Sequence, residues 1–407
     1  MIAKKPLKIL IAADTYPPDV NGAAVFCFRL ATAMHARGHE VHVIAARNEP
    51  GPNTTVEQPE AVVHRLKSLR AFTHESYRLC LPWTATRDIA KILDEVKPDV
   101  VHAQCHYMIG HAAIKEAKRR GIRVIATNHF MPENLEPFLP FPQPFLDIIS
   151  KNSWKDMGKV MGRADVVTTP TPLAAKAMRE KARLKEVLPL SNGIDSSHYE
   201  LHEGEVIPKP DYPVVLFAGR LAVEKNVDQL IEAISLSTTT PQPHLVVVGG
   251  GEQRPNLEKK AADLGVTDRV HFRGHVSDEE LREAYLACDV FCQPGTAELQ
   301  SLVTLEALSA SRPVVLANAM ALPHLVDEGV NGYLFEPGNP QDLANKIDAI
   351  LGKTPAERAE MGEKGHQKAV RHSMQKTIET FEALYRGSSA QPFLNDDPNS
   401  PSEPAAS

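Results

Sequence analysis

No run of apolar residues in this chain approaches the 18 or so needed to cross a bilayer. Lys4, Lys5 and Lys8 lead into the apolar run Ile9–Ala13, which is too short for a secretory signal. An integral membrane protein is thereby excluded, and the chain is expected in the cytoplasm or peripheral to a membrane. Cysteine is scarce: Cys27, Cys80, Cys105, Cys288 and Cys292 are scattered and odd in number, which fits reduced thiols better than a disulfide framework. Cys288 and Cys292 stand four apart, but no second pair completes a zinc set, so both read as buried thiols. There is no excess of positive charge. The net charge of −6 gives no reason to expect nucleic acid as a partner.

What is present is an ordinary globular balance, 43% apolar and 24% charged, spread over 407 residues. That length is too great for one typical core and predicts two domains. Apolar runs of strand length alternate with helix-period segments. Strands are predicted at 7–13, 39–46, 99–103, 123–127 and 165–170, with helices at 22–37, 84–96 and 108–120. The pattern then restarts, with strands at 213–219, 244–250, 269–274, 289–294 and 312–317. Runs rich in Val and Ile suit parallel sheets covered on both faces. Two βα series imply two doubly wound α/β domains; a closed (β/α)8 barrel is the structural alternative. The polar, proline-containing stretch between the two series predicts a linker at 196–212, after an N-terminal domain 1–195 and before a C-terminal domain 213–372. A last helix at 373–386 is expected to return to the first domain, and 387–407 has little to bury and reads as a disordered tail. Oligomeric state is not readable.

In open α/β sheets ligands bind beyond the carboxyl ends of the strands, so the loops there hold the candidate chemistry. After the first strand, Gly22 stands just before a helix. It suits close approach of a phosphate to the helix amides, or equally a plain turn. His129 follows the strand 123–127 and is either structural or catalytic. In "GRLAVEKN" (219–226), Arg220 and Lys225 suit the charge of a diphosphate, or else a solvated basic loop. "GGGE" (249–252) lacks the spacing of a dinucleotide fingerprint. In "TAELQSLVTLEAL" (296–308), Glu298 and Glu306 lie eight apart around a helix start at Leu302 and Val303. On spacing alone, that pair is as compatible with two ordinary glutamates as with a site.

"GRLAVEKN", "SNGIDSSHY" (191–199), "VVVGGGEQ" (246–253) and the Glu298/Glu306 pair together resemble glycosyltransferase family 4, from about residue 7 to 386. The resemblance implies the GT-B fold, two facing Rossmann-like domains with a cleft between them, and a retaining transfer from a UDP- or GDP-sugar. By resemblance, Glu298 would contact the sugar hydroxyls, Glu306 the ribose, and Arg220 and Lys225 the diphosphate, helped by the amides of Gly22, Leu302 and Val303. His129 would sit beside the sugar. Three glycines usual in the family are absent: Asn21 and Ala23 flank Gly22, and Ser301 and Ser311 stand where the other two are expected. No Asp-X-Asp occurs, so the two cations are expected to serve in place of a metal, and no cofactor is expected.

The segment 129–163 speaks to the acceptor. Phe130, Phe138 and Phe141 lie in a proline-broken apolar stretch, and Lys151, Lys155, Lys159 and Arg163 recur every four residues beside Trp154. Such a basic face with aromatics suits an anionic bilayer; the alternative is a packed loop with a solvated lysine face. "HFMPENL" (129–135) and "AMALPHLV" (319–326) resemble family members that glycosylate diacylglycerol-type lipids. The expected function is transfer of glucose or mannose to a glycerolipid or glycolipid on the inner face of the membrane. Alternatives are transfer to an inositol phosphate or polysaccharide, and a sugar-nucleotide epimerase.

Overall fold

Valine- and isoleucine-rich runs form the buried strands of two separate parallel sheets. The computed structural model describes residues 5–19, 21–70, 78–132 and 141–393, which places Phe138 outside the described residues. The chain divides into unit 1, residues 1–191 with 376–397, and unit 2, residues 192–375 with 398–407.

Unit 1 holds strands β1 (Lys8–Ala13), β2 (Glu40–Ala46), β3 (Thr54–Glu57), β4 (Val62–Leu66), β5 (Leu69–Arg70), β6 (Arg78–Leu79), β7 (Val100–Gln104), β8 (Arg123–Thr127), β9 (Val166–Thr169) and β10 (Leu188–Pro189). Its helices are α1 (Gly22–Ala36), α2 (Pro82–Val96), α3 (Met108–Arg119), α4 (Gln143–Met161) and α5 (Pro172–Lys181). Eight strands form one sheet in the order β10-β9-β8-β7-β1-β2-β4-β3, while β5 and β6 make a separate hairpin. All pairs in the large sheet are parallel except β3–β4. The sequence gives no period-2 or apolar signal for β3, which is an edge strand with three of its four residues exposed.

Unit 2 contains β11 (Val214–Ala218), α6 (Val227–Leu236), β12 (His244–Val248), α7 (Arg254–Asp263), β13 (Val270–Gly274), α8 (Asp278–Ala287), β14 (Val290–Gln293), α9 (Leu302–Ser309), β15 (Val314–Ala317), β16 (Gly332–Phe335), α10 (Pro340–Leu351) and α11 (Pro355–Val370). Its six strands are all parallel, in the order β13-β12-β11-β14-β15-β16. The core under them is mainly aliphatic, with Leu216, Val247, Leu305, Val315 and Ile347 sealed from solvent beside Phe217, Phe291 and Phe335.

The passage between the units falls at Ser191/Asn192, not through the polar stretch 196–212. That stretch belongs to unit 2 because Arg282 of α8 grips it. The guanidinium donates to the carbonyls of His198 (2.8 Å) and Glu200 (2.7 Å) and to both carboxylate oxygens of Glu205 (2.5 and 2.7 Å). The same contacts hold the Glu205 carboxyl down at about 2. The last helix, α12 (Met374–Tyr385), is counted with unit 1 from Lys376 onward. There Phe381 packs on Phe26, Tyr385 Oη is 2.7 Å from His102 Nδ1, and Arg37 pairs with Glu382 at 2.9 Å. No helix among the described residues is long and apolar enough to cross a membrane.

Candidate active site

Strand order locates the site in unit 2. Strand β11 lies between β12 and β14, so the connections leaving it and leaving β14 run to opposite sides of the sheet. At such a switch point the two loops at the carboxyl ends part and leave a crevice. The loop after β11 carries Arg220 and Lys225, and the loop after β14 carries Glu298. Lys225 and Glu298, far apart in sequence, form an ion pair across this point. Arg220 pairs with Glu224 at 2.5 Å. All four side chains are largely but not fully shielded, which strengthens their fields relative to bulk water.

Backbone geometry brings the two loops together. Asn226 adopts a left-handed conformation, φ 50°, which Asn tolerates better than most residues. From there its amide donates to the Pro294 carbonyl (3.2 Å) and the Thr296 hydroxyl (3.3 Å), while the Thr296 N–H donates to the Glu224 carbonyl (3.2 Å). Gly295 is hemmed in: a Cβ there would lie 3.1 Å from Gln293 Oε1 and 3.3 Å from Glu298 Oε1. Asn226, Glu224 and Gln293 are the supporting residues that the motif reading passed over. Only Asn226 left a signal, a left-handed-tolerant residue at a turn between a strand and a helix.

Helix α9 opens the next part of the crevice. Ser301 caps it, its hydroxyl accepting from the Thr304 N–H at 3.4 Å and the Thr304 hydroxyl at 2.8 Å. The amides of Leu302 and Val303 thus lie in the first helical turn, where the positive end of the dipole favours an anion. The serine at the position of a family glycine therefore works as a cap. Ser311 keeps the left-handed backbone that explains why glycine is usual there, with φ 54°. Glu306, within α9, is buried and accepts from Tyr285 Oη at 2.9 Å. Burial first, and then the Glu306 charge, push the Tyr285 hydroxyl well above its ordinary pKa, so it stays a donor.

Unit 1 has its own switch point, since β1 lies between β2 and β7. Gly22 is the first residue of α1, behind the cap Asn21, whose side chain accepts from the Ala24 N–H at 2.9 Å. A Cβ on Gly22 would meet nothing within 4 Å, so packing does not demand glycine and the space before it is open. His129 follows β8 with Nε2 2.7 Å from Gln104 Oε1 and its ring against Phe26. Burial lowers its pKa to about 4, so the imidazole is neutral near pH 7. With Gln104 Oε1 accepting from Nε2, Nδ1 is the basic nitrogen.

The basic segment needs a correction. Lys151, Lys155 and Lys159 are exposed on α4, and Phe141 just before it is exposed as well. Arg163 is exposed too, but it lies beyond the helix end. Trp154, by contrast, is only 3% exposed, packed inward with Met157 and Met161 and with Lys181 Nζ 5.4 Å from its ring centroid. It is a core residue and has no surface to offer a bilayer. Phe130 is half-buried against Tyr107, with ring centroids 5.6 Å apart, so it too is largely committed to packing.

Two α/β units, each built on a mainly parallel sheet, are the architecture of the GT-B class of glycosyltransferases. Comparison with known proteins agrees. Residues 20–198 match Glycosyltransferase Family 4 and residues 200–368 match the Glycosyl transferases group 1 family. The chain belongs to this glycosyltransferase family. It is 25% identical over 393 residues to the alpha-monoglucosyldiacylglycerol synthase of Acholeplasma laidlawii, covering 89% of this chain and 94% of that protein. It is 28% identical over 280 residues to the sulfoquinovosyl transferase of Arabidopsis thaliana, a match covering 64% of this chain and about half, 52%, of the plant protein. Among solved structures it shares the fold of the Anabaena protein HepE in complex with UDP, with a TM-score of 0.71, 19% identity, and coverage of 94% and 100% of the two chains.

Proposed function

We propose that the protein moves glucose or mannose from a UDP- or GDP-sugar to a membrane glycerolipid or glycolipid, with retention of configuration and without a metal cofactor. The observation that carries the proposal is the grouping of Arg220, Lys225 and Glu298 at the unit 2 switch point. When the bond from sugar to phosphate oxygen breaks, its electron pair stays on the diphosphate. Arg220 and Lys225 neutralise the charge that grows there, and the amides of Leu302 and Val303 add donors. The sugar becomes oxocarbenium-like; the acceptor oxygen bonds to it on the face just vacated and passes its proton to the departing phosphate oxygen. Glu298 orients the sugar hydroxyls while its pairing holds Lys225 in reach. Glu306, fixed by Tyr285, takes the ribose. In unit 1, neutral His129 keeps Nδ1 as an acceptor for a substrate hydroxyl.

The nucleotide is supported by the UDP complex of HepE. The lipid acceptor is supported by the likeness to the diacylglycerol-lipid synthase and by the exposed lysines of α4 beside exposed Phe141 and Phe145. Because the cations do the work a metal would do, acceptor-dependent release of nucleoside diphosphate should persist in excess EDTA. An absolute need for Mg²⁺ would overturn the charge-clamp mechanism.

The acceptor side has its own test. Each basic residue near an anionic surface contributes about 1 kcal/mol, so Lys151, Lys155, Lys159 and Arg163 supply roughly 4 kcal/mol before screening. The variant with all four changed to serine should lose co-sedimentation with anionic liposomes while keeping its affinity for the nucleotide sugar. A wild type that ignores such liposomes at low salt would favour a soluble acceptor.

A further inference from the structure

Of the two tryptophans in the chain, Trp83 is the exposed one, 69% accessible at the start of α2. It does not stand alone. The segment leading into it has its apolar side turned outward: Leu79 is 48% and Leu81 37% exposed, while Cys80 between them is buried. Leu69 pairs directly with Leu79 across the β5–β6 hairpin and is 51% exposed. Opposed residues of an antiparallel pair share a face, so Leu69 and Leu79 present one apolar side. An alternating strand that buried its leucines would have gained their transfer energy; this one forgoes it.

Basic residues flank the patch. Residues 67–70 and 78–87 contain Lys67, Arg70, Arg78 and Arg87, of which Arg87 pairs with Asp88 at 3.0 Å. The place is also informative. The hairpin and α2 follow the carboxyl end of β4, and α4 follows that of β8, so both leave the same edge of one parallel sheet. Four strand steps separate β4 from β8, about 19 Å at the usual spacing. The switch point between β1 and β7 lies between them.

We infer that Leu69, Leu79, Leu81 and Trp83 form a second contact with an anionic lipid surface, so that unit 1 meets the bilayer on both sides of its strand-end crevice. This rests on the lipid-acceptor reading. Tryptophan belongs at the level of lipid headgroups, with an apolar ring body and an N–H for the wet side, and the leucines reach into the acyl boundary. The flanking cations attract the anionic headgroups. Two contacts on either side of the crevice fix its orientation toward the membrane, which one contact does not.

Tryptophan emission reads this directly. In Trp154→Phe, Trp83 is the sole tryptophan and can be excited selectively over tyrosine. Adding phosphatidylglycerol vesicles that carry brominated acyl chains should shift its emission to shorter wavelength and quench it. In Trp83→Ser, the remaining Trp154 should show neither change, and vesicle affinity should fall at least about tenfold. Should Trp154→Phe fail to fold, the difference between wild type and Trp83→Ser supplies the same reading. If wild type sediments with these vesicles but Trp83 emission stays put, this second contact is wrong while the lipid-acceptor reading stands. If wild type does not sediment, both fall. A blue shift that grows with protein concentration and needs no vesicles would assign the patch to a second copy of the chain and overturn the inference.

Discussion

Lys225→Ala is expected to lower kcat/KM by about 10²-fold or more, and Glu298→Ala by a similar factor. Lys225 brings positive charge to the leaving group, an interaction that strengthens as the bond breaks, so its loss falls on the transition state. The structure adds a second expectation. The two side chains are paired across the switch point. Either substitution leaves the other as a shielded charge without its partner, in a place where charge is poorly solvated. The effects should therefore not add: the double variant should be little worse than either single one, with a large coupling energy in a double-mutant cycle. Steady-state kinetics on the four proteins is the measurement. Activity within a few-fold of wild type for both single variants would remove the pair from the site. Additive losses would show that the pairing is not maintained in the working enzyme.

Gly249→Ala is expected to destabilise unit 2 by at least about 3 kcal/mol, because two independent penalties coincide. The residue has φ 123°, a conformation open to glycine and strained for any residue with a Cβ. A Cβ there would also lie 2.0 Å from the Gly219 carbonyl oxygen, which is backbone and cannot swing aside. The Gly249 N–H donates to the Gly274 carbonyl at 2.8 Å, so the chain is also held from the β13 side. Gly219 opens the loop that carries Arg220 and Lys225, so any shift that relieves the clash moves the cations. Thermal melting and nucleotide-sugar affinity should fall together. A variant that melts like wild type would mean the turn is softer than this close approach implies.

The fold was legible where the chemistry of a buried strand leaves no choice. Runs such as "LKILIAA" and "PVVLFAG" become strands covered on both faces, because Val and Ile have nowhere else to be buried. Strand β3 was not legible, since an exposed edge strand needs no apolar pattern. The short β16 was also passed over; two of its four residues are half-exposed, which dilutes its apolar signal. At the site, the charged residues could be read from type and spacing. What holds them could not: the Asn226 clamp depends on one backbone angle and on a loop about 70 positions away. Trp154 shows the opposite failure. Its neighbours Lys151 and Lys155 suggested a wet face, yet Trp154, Met157 and Met161 follow the i, i+3, i+7 spacing of a core stripe.

The seat of α12 has a consequence for synthesis. Phe381 and Tyr385 fill the space beside Phe26 and His102, although more than 250 residues of chain separate them from those partners. Chains usually fold from the N-terminus as they emerge, at about 5–20 residues per second. Here the first unit to emerge cannot be finished until the last helix has been made. All of Asn192–Gln375 must emerge in between, a delay of about 10–40 s at that rate. The stretch Asn192–Gln375, which holds every strand of unit 2, is therefore made before unit 1 receives its last helix. Unit 1 waits as a sheet with Phe26 uncovered, a nascent species that a ribosome-associated chaperone has cause to hold.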